Sequence, residues 1–273
     1  MTIAEEILDL KSRVSAAFSA CEEKSAVMPA QRTTHTLANT IRTIPSGGGD
    51  SMEDDIIMRT ISGSYNNSNV SIVGQYAFYE CSQLTTAEFP NVTTIGSSAF
   101  YQCYSLTSIS IPNATTIGEN VFYKCSRLTS ISLPNATTIG SYTFFGCGQL
   151  KTASLPNVTS INNHLFYQCT RLTTASFPNA TTIGSYAFHQ CISLTTAEFP
   201  NVTTIGSSAF YQCYSLTSIS IPKVTSIGTY AFRECSQLTT AEFPNTTIIG
   251  AAAFKSCTNL VNISIPNVTS ITA

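Results

Sequence analysis

The sequence of 273 residues is poor in the side chains on which most enzymes and nucleic-acid-binding proteins depend. It contains no tryptophan and only three histidines, and charged residues make up 10% of it, against roughly 25% in a typical soluble domain. The formal net charge is -2, and lysine and arginine form no run. A charge this small and this balanced argues against binding driven by nucleic acid phosphates or anionic lipids.

The chain also lacks long apolar runs and a recognisable export signal. No stretch approaches the ~18 consecutive apolar residues that cross a membrane as a helix. Its first residues, MTIAEEILDLKSR, are acidic and amphipathic, without the basic start and apolar centre of a secretory signal. We therefore expect no membrane insertion and no secretion through a signal of its own.

What the chain does have is a strict internal repeat. Nine of its ten cysteines follow one another at intervals of 22 residues from Cys81 to Cys257, and nine prolines do the same from Pro90 to Pro266. A fixed period of this length is typical of solenoids, in which each unit buries its apolar face only against its neighbours.

Each unit carries two different apolar patterns, as residues 95–116 show with the sequence IGSSAFYQCYSLTSISIPNATT. The part LTSISIP alternates apolar and polar residues as far as Pro112, which predicts a short strand. The part GSSAFYQC has apolar residues at positions i, i+1 and i+4, which predicts one or two helical turns. Glycine follows the first apolar residue in every unit but one, where Asn162 replaces it. Because both residues tolerate a positive φ, we expect that turn to require one.

The pattern C-x-x-L-x-x-I-x-[IFL]-P-x-V/A-x-x-I-G-x-x-A-F, seen from Cys103 to Phe122, resembles the BspA-like leucine-rich repeats, and the resemblance covers about residues 73–271. It implies an α/β repeat fold, a right-handed leucine-rich-repeat solenoid with a parallel β-sheet face and short helices. Members of the family are typically surface or adhesion proteins, many of them bacterial. Residues 36–49 and 56–67 resemble the lead-in of phage tail or prophage proteins that carry such repeats.

The repeats are preceded by a region of different composition. We expect a small helical module at residues 1–45, a flexible acidic linker at 46–55, an N-terminal cap at 56–72 and nine 22-residue repeats at 73–273. A heptad seam in the helical module consists of Ile3, Ile7, Leu10, Val14, Ala17 and Cys21. Such a seam is typical either of an amphipathic helix that docks on a neighbouring element or of a coiled coil through which the chain forms a homo-oligomer.

The repeated cysteines predict neither a disulfide scaffold nor a metal site. Equivalent cysteines of adjacent units point the same way, which a disulfide does not favour, and none has a second metal ligand close in sequence. We expect a column of small buried thiols and no bound metal or other cofactor. The recurring Asn-x-Thr sequence, for example at Asn91, is formally a glycosylation signal, but a Pro-Asn turn explains it without a glycan.

The histidines and serines do not form a recognisable catalytic set. His164 and His189 lie on adjacent units without a Cys or Asp partner at a catalytic or metal-binding spacing, so we expect both on the surface. No Ser-His-Asp triad can be assembled at one place. The sequence therefore predicts a protein that is not an enzyme.

Rows of equivalent surface residues are the candidate binding features. The outward strand positions hold mostly threonine and serine, which suit an exposed sheet and also the contacts of a glycan. A phenylalanine recurs in every unit from Phe78 to Phe254, and directly after this phenylalanine column runs a row that holds Tyr79, Tyr101, Tyr123, Phe145, Tyr167, His189, Tyr211, Arg233 and Lys255. A second row holds Tyr76, Tyr142, Tyr186 and Tyr230. Such rings either pack half-buried between successive helices, keeping the units in register, or form an exposed aromatic ridge for recognition.

These observations favour non-enzymatic recognition of an extracellular protein or glycan. The resemblance suggests an extracellular surface or a phage virion as the location, while the missing signal leaves the cytoplasm open as an alternative. Copied repeats lengthen a surface without creating a pocket, so a structural spacer and an intracellular protein-interaction scaffold remain alternative functions.

Overall fold

The computed structural model describes residues 61–272, which form a parallel β-solenoid in which each coil contributes a longer strand and a two-residue strand. The longer strands form the strand face: β1 (Gly63–Asn66), β3 (Leu84–Glu88), β5 (Ser108–Ser110), β7 (Ser130–Ser132), β9 (Thr152–Ser154), β11 (Thr174–Ser176), β13 (Thr196–Glu198), β15 (Ser218–Ser220), β17 (Thr240–Glu242) and β19 (Asn262–Ser264). The two-residue strands form the second side: β2 (Ile72–Val73), β4 (Thr94–Ile95), β6 (Thr116–Ile117), β8 (Thr138–Ile139), β10 (Ser160–Ile161), β12 (Thr182–Ile183), β14 (Thr204–Ile205), β16 (Ser226–Ile227), β18 (Ile248–Ile249) and β20 (Ser270–Ile271).

Strands pair in parallel with their counterparts one coil away. Residues 22 apart in sequence are partners, such as Thr86 with Ser108 and Ala87 with Ile109. The sequence period is therefore one full coil. Pairing is interrupted on both sides, because the strand face consists of the sheets β1–β7, β9–β13 and β15–β19, and the second side of the sheets β2–β8 and β10–β20.

The predicted short helices are wrong. Residues 61–272 contain no helix, and hence none long and apolar enough to cross a membrane. The segment 96–103 and its equivalents form consecutive turns, which we call the turn face. Alternate backbone N–H groups bond to the next coil, as Ser98 does to the Glu119 carbonyl at 2.8 Å and Phe100 to the Val121 carbonyl at 2.9 Å, whereas the Ala99 N–H between them bonds three residues back to Gly96 at 3.3 Å. These bonds between coils replace the bonds within a helix, which join residues four apart.

The glycine column has a different cause from the one predicted. Gly96 does not have a positive φ; the positive φ values lie at Ser98 (57°) and Gln102 (56°). A Cβ at Gly96 would lie 2.5 Å from the backbone nitrogen of Gln75, and one at Gly118 would lie 2.6 Å from that of Ser97. Glycine is thus required because the backbones of adjacent coils approach each other too closely for a side chain.

Asn162, the exception in the glycine column, marks an interruption of the second side. In a regular coil the Gly118 N–H donates to the Ile95 carbonyl at 2.8 Å. At the exceptional position, the Asn162 side chain donates to the Ile139 carbonyl at 2.6 Å. The side-chain amide takes the place of the backbone N–H, and β8 and β10 are not paired here.

The apolar residues that recur in every unit form buried columns. Phenylalanine rings stack along the array, as Phe100 does on Phe122 with centroids 5.6 Å apart. Beside them lie the cysteine, leucine and isoleucine columns in one continuous apolar cluster. Among the described cysteines, Cys81 to Cys235 are buried, which confirms that prediction, and Cys257 in the last coil is half-buried.

Several predictions concern residues outside the described part of the chain. These are the helical module at 1–45, the linker at 46–55, the first residues of the cap at 56–72 and the whole heptad seam. Of the cap, the described portion forms β1, which pairs with β3.

Candidate functional site

The aromatic row that follows the phenylalanine column forms a continuous stack on the turn face. From Tyr79 to Tyr211, through one ring in each coil, neighbouring ring centroids lie 4.5 to 4.8 Å apart. The spacing of paired strands, about 4.8 Å, sets this distance, which lies within the range favourable for ring stacking. We call this row, from Tyr79 to Arg233, the aromatic stack.

The stack ends at a cation. The Arg233 guanidinium carbon lies 5.4 Å from the Tyr211 ring centroid and 5.1 Å from that of Tyr230. Its Nε also lies 3.3 Å from a carboxylate oxygen of Glu234. Arg233 therefore continues the row by covering the last ring.

The structure brings the seven predicted binding residues together in this stack, although no helices separate them. They are Tyr79, Tyr101, Tyr123, Tyr167, His189, Tyr211 and Arg233, and all but His189 are half-buried. The half-buried tyrosine rings are partly accessible to solvent, while their faces stack on rings of neighbouring coils. Keeping the coils in register and binding a partner are both compatible with this placement, so the binding role stays a prediction.

Five tyrosines near the stack are more exposed than its own members. Tyr76, Tyr186 and Tyr230 stand in the second aromatic row, each with a positive φ, and Tyr104 and Tyr214 follow the cysteine column. Their exposed fractions lie between 36% and 50%. We call these five residues the exposed tyrosines.

The residues that follow the stack in each coil form a row that the sequence reasoning missed. The Gln168 side chain donates to Gln190, Gln190 to Gln212, and Gln212 to Glu234, each at 2.8 Å. The Tyr211 hydroxyl also donates to Glu234 at 3.0 Å. The hydrogen bond from Gln212 is the main reason why the pKa of Glu234 lies below its ordinary value. Because these glutamines recur 22 residues apart, the sequence alone would have been sufficient to predict this row.

The two histidines of the turn face stack with tyrosines, and His189 is not on the surface as predicted. Its side chain is buried between Tyr167 and Tyr211, and its Nδ1 has no hydrogen-bond partner. Burial, followed by the proximity of His164, lowers the pKa of His189 to about 4. Burial also lowers the pKa of His164, which stacks on Tyr142. Both imidazoles are therefore neutral at pH 7.

The cysteine and asparagine columns serve the backbone of the preceding coil. The Cys103 thiol donates to the Phe78 carbonyl at 3.0 Å, and the same bond recurs along the column to Cys257. The side chain of Asn113, in one of the Asn-x-Thr sequences, likewise donates to the Pro90 carbonyl at 2.7 Å. Among the described residues, no group of three or more His, Cys, Asp and Glu could hold a metal ion. These columns stabilise the stacking of coils.

Comparison with known proteins identifies the repeat. The family model described as a BspA type leucine rich repeat region matches residues 60–173 and 159–273, in six copies. A leucine-rich repeat protein from Bacteroides ovatus of known crystal structure is 24% identical, over 77% of this chain and 73% of that one, with a TM-score of 0.51. A leucine rich cell surface protein from Faecalibacterium prausnitzii is 23% identical, over 76% of this chain and 88% of that one, with a TM-score of 0.44. No curated protein sequence matches the chain.

Proposed function

This chain belongs to the BspA type leucine-rich repeat family, and from that premise we propose that it is a non-enzymatic recognition protein that binds a protein or a glycan on a cell surface. The exposed tyrosines are the observation that carries the proposal. Three of them, Tyr76, Tyr186 and Tyr230, lie on the turn face, and Tyr104 and Tyr214 directly follow it, beside a stack whose rings already contact one another.

The chemistry of tyrosine supports this role. A tyrosine side chain offers a large apolar ring together with a polar hydroxyl, and it is enriched among the residues that dominate binding energy. The backbone N–H groups of Tyr76, Tyr186 and Tyr230 are fixed by hydrogen bonds between coils, such as that from Tyr76 to the Ser97 carbonyl at 3.1 Å. Binding therefore orders only the side chains, which limits the entropy lost.

The chemistry of the described residues also supports a role without catalysis. A general base needs a pKa near the working pH and a place to receive a proton. His189 is buried with its pKa at about 4, and among residues 61–272 the Nδ1 atoms of both turn-face histidines are without a hydrogen-bond partner. Within this described range, no group therefore orients either imidazole through its Nδ1, as a catalytic set requires.

Binding to whole bacterial cells and to a printed glycan array tests the proposal. The variant Tyr76→Ser/Tyr104→Ser/Tyr214→Ser removes three rings that contribute little to the core, and we expect it to bind at least about tenfold more weakly. The matched control is Ile248→Ser, which removes a side chain of similar exposure, 44%, from the second side. Unchanged binding by the triple variant would refute the role of the tyrosines and favour a structural spacer.

The setting of this recognition is part of the proposal. The family resemblance supports an extracellular surface, and the lead-in segments support a phage-tail association. Of the lead-in segments, only residues 61–67 lie within the described part of the chain. Self-association through Ile3, Ile7, Leu10, Val14 and Cys21 would multiply the binding surface and is tested below.

A further inference from the structure

Residues 84–112 and 194–222 have the same sequence at all 29 positions but different structures. In the first copy, β3 and β5 pair, with Thr86 opposite Ser108. In the second copy, the equivalent strands β13 and β15 belong to different sheets of the strand face. The side chains of the two strands cannot be the cause of this opening, because they are the same in both copies.

The opening releases hydrogen-bonding groups of two threonines, Thr195 and Thr217. In the first copy, Thr107 donates its N–H to the Thr85 carbonyl at 2.8 Å and its hydroxyl to the same oxygen at 3.0 Å. In the second copy, which lies wholly within the described residues, Thr217 makes neither bond to Thr195. One wall of the opening therefore offers a carbonyl acceptor, and the other offers an N–H and a hydroxyl.

An open groove of about 660 Å³ lies on the surface against the two unpaired strands. It is lined by β13, β15 and their flanking residues as far as Pro200 and Pro222. Ala197 lines the groove and is partly exposed, whereas its counterpart Ala87 is only 1% exposed. This volume is in the range of small-molecule binding sites.

The two coils remain joined on their other sides, which limits what the groove can hold. Thr204 of β14 pairs with Ser226 of β16, and on the turn face the Phe188 N–H donates to the Ala209 carbonyl at 2.7 Å. Insertion of a peptide strand would require roughly 4.8 Å of additional separation between the coils. Because these bonds resist that separation, the occupant has to enter from solvent without parting the coils.

The geometry points to a neutral saccharide as the ligand of this groove. Sugar hydroxyls both donate and accept hydrogen bonds, which suits the Thr195 carbonyl and the N–H and hydroxyl of Thr217. Glu198 is exposed and is the one charged side chain among the described lining residues. Its carboxylate can accept hydrogen bonds from two neighbouring sugar hydroxyls. With no lysine or arginine in that lining, an anionic ligand would find no counter-charge.

This site lies on the strand face, so it stands apart from the exposed tyrosines. The duplicated sequence supplies an internal control that is matched residue for residue. Glu198→Gln and Thr217→Val alter the open copy, and Glu88→Gln and Thr107→Val make the same changes in the paired copy. Each variant is made in the full chain, and thermal melting verifies that it is folded.

The probes are printed neutral oligosaccharides beside sialylated and sulfated ones. We expect the unaltered chain to bind one or more neutral oligosaccharides, and both changes in the open copy to weaken that binding about tenfold or more. The control changes should leave it within about twofold. Equal losses from Glu88→Gln and Glu198→Gln would overturn the proposal in favour of the strand face as a whole. Binding of acidic glycans alone, or of none, would also overturn it.

Amide hydrogen exchange provides a second measurement that needs no variant. The Thr217 amide should exchange faster than the Thr107 amide in the free protein, because only Thr107 is hydrogen-bonded. The bound neutral oligosaccharide should slow exchange at Thr217 and leave Thr107 unchanged. Equal exchange at the two amides in the free protein, or no slowing on binding, would contradict the proposed groove.

Discussion

At the scale of single residues, the glycine column shows how closely the coils approach one another. Gly118 has no room for a Cβ, because the backbone of the preceding coil lies 2.6 Å from where that atom would be. Gly74 occupies the same column in the first repeat, and a Cβ there would meet no atom of residues 61–272 within 4 Å. Within the described part of the chain, close approach of another backbone therefore accounts for the glycine at position 118 and not for the one at position 74.

This difference predicts opposite effects of one substitution. Gly118→Ala should destabilise the protein by about 1–3 kcal/mol, because adjacent backbones have to move apart. Gly74→Ala should be neutral or stabilise it by up to about 1 kcal/mol, by restricting the unfolded chain. Urea denaturation of both variants measures the two free energies, and equal losses would show that close approach is not the reason for the glycine.

The phenylalanine column predicts a dependence on position. Phe166 is fully buried and stacks on the rings of both adjacent coils, with centroids 5.3 Å from Phe144 and 5.4 Å from Phe188. Phe166→Ala should cost about 3–5 kcal/mol by leaving a cavity. Phe254→Ala should cost less, because Phe254 is only partly buried in the last coil. Chemical denaturation compares them, and an equal loss would be inconsistent with packing between neighbours as the source of stability.

At the scale of structural elements, the turn face combines hydrogen bonds between coils with stacked aromatic rings. His189 is the one described member of the aromatic stack whose charge can change in mildly acidic solution. It lies near His164 and Glu234, and its neighbours in the stack are Tyr167 and Tyr211. Protonation would place a buried positive charge between two rings, without a hydrogen-bond partner for Nδ1.

The folded state should therefore become less stable in acid, because His189 is protonated. Its pKa is lowered from the ordinary 6.5 to about 4 in the folded state, so between these values the unfolded chain binds the proton more strongly. The contribution of neutral His189 to the free energy of unfolding is complete above pH 6.5. It decreases as the pH falls towards 4, by at most about 1.4 kcal/mol per pH unit. Melting temperatures between pH 7 and pH 4.5 measure the effect. The variant His189→Tyr keeps a ring in the stack but removes this titration, so its melting temperature should depend less on pH. Parallel curves of melting temperature against pH for the variant and the unaltered chain would contradict the role of His189.

At the scale of the whole molecule, the array presents many equivalent positions to a partner. Even weak self-association increases the apparent affinity for a surface that carries many copies of a target, through effective concentration. The heptad seam of residues 3–21 is the feature of the sequence that predicts such association.

Self-association is tested by light scattering on the full chain. We expect oligomers at about 100 μM, the concentration at which a complex of ~5.5 kcal/mol is half formed. The change Leu10→Asp places a charge in the seam and should give a monomer, whereas Asp9→Asn, next to the seam, should not. A monomeric full chain would favour an amphipathic helix that docks on a neighbouring element.

The sequence by itself determined the period, the core columns and the location of the aromatic row. All three follow from equivalent residues 22 positions apart, because a coil that closes after 22 residues places such residues side by side. The same logic would have found the glutamine row. The helical turns were predicted wrongly, since GSSAFYQC has apolar residues at i, i+1 and i+4 whether its N–H groups bond within the segment or to the next coil.

Only the tertiary structure decided where coils approach closely, whether the His189 side chain is buried and where the strand face opens. Gly74 and Gly118 occupy the same column, yet among residues 61–272 only Gly118 has another backbone against it. The two copies of the 29-residue segment differ in the same way, because β3 and β5 pair whereas β13 and β15 do not. Whether two strands pair depends on how the coils on either side hold them, and a sequence identical in both places carries no information about that difference.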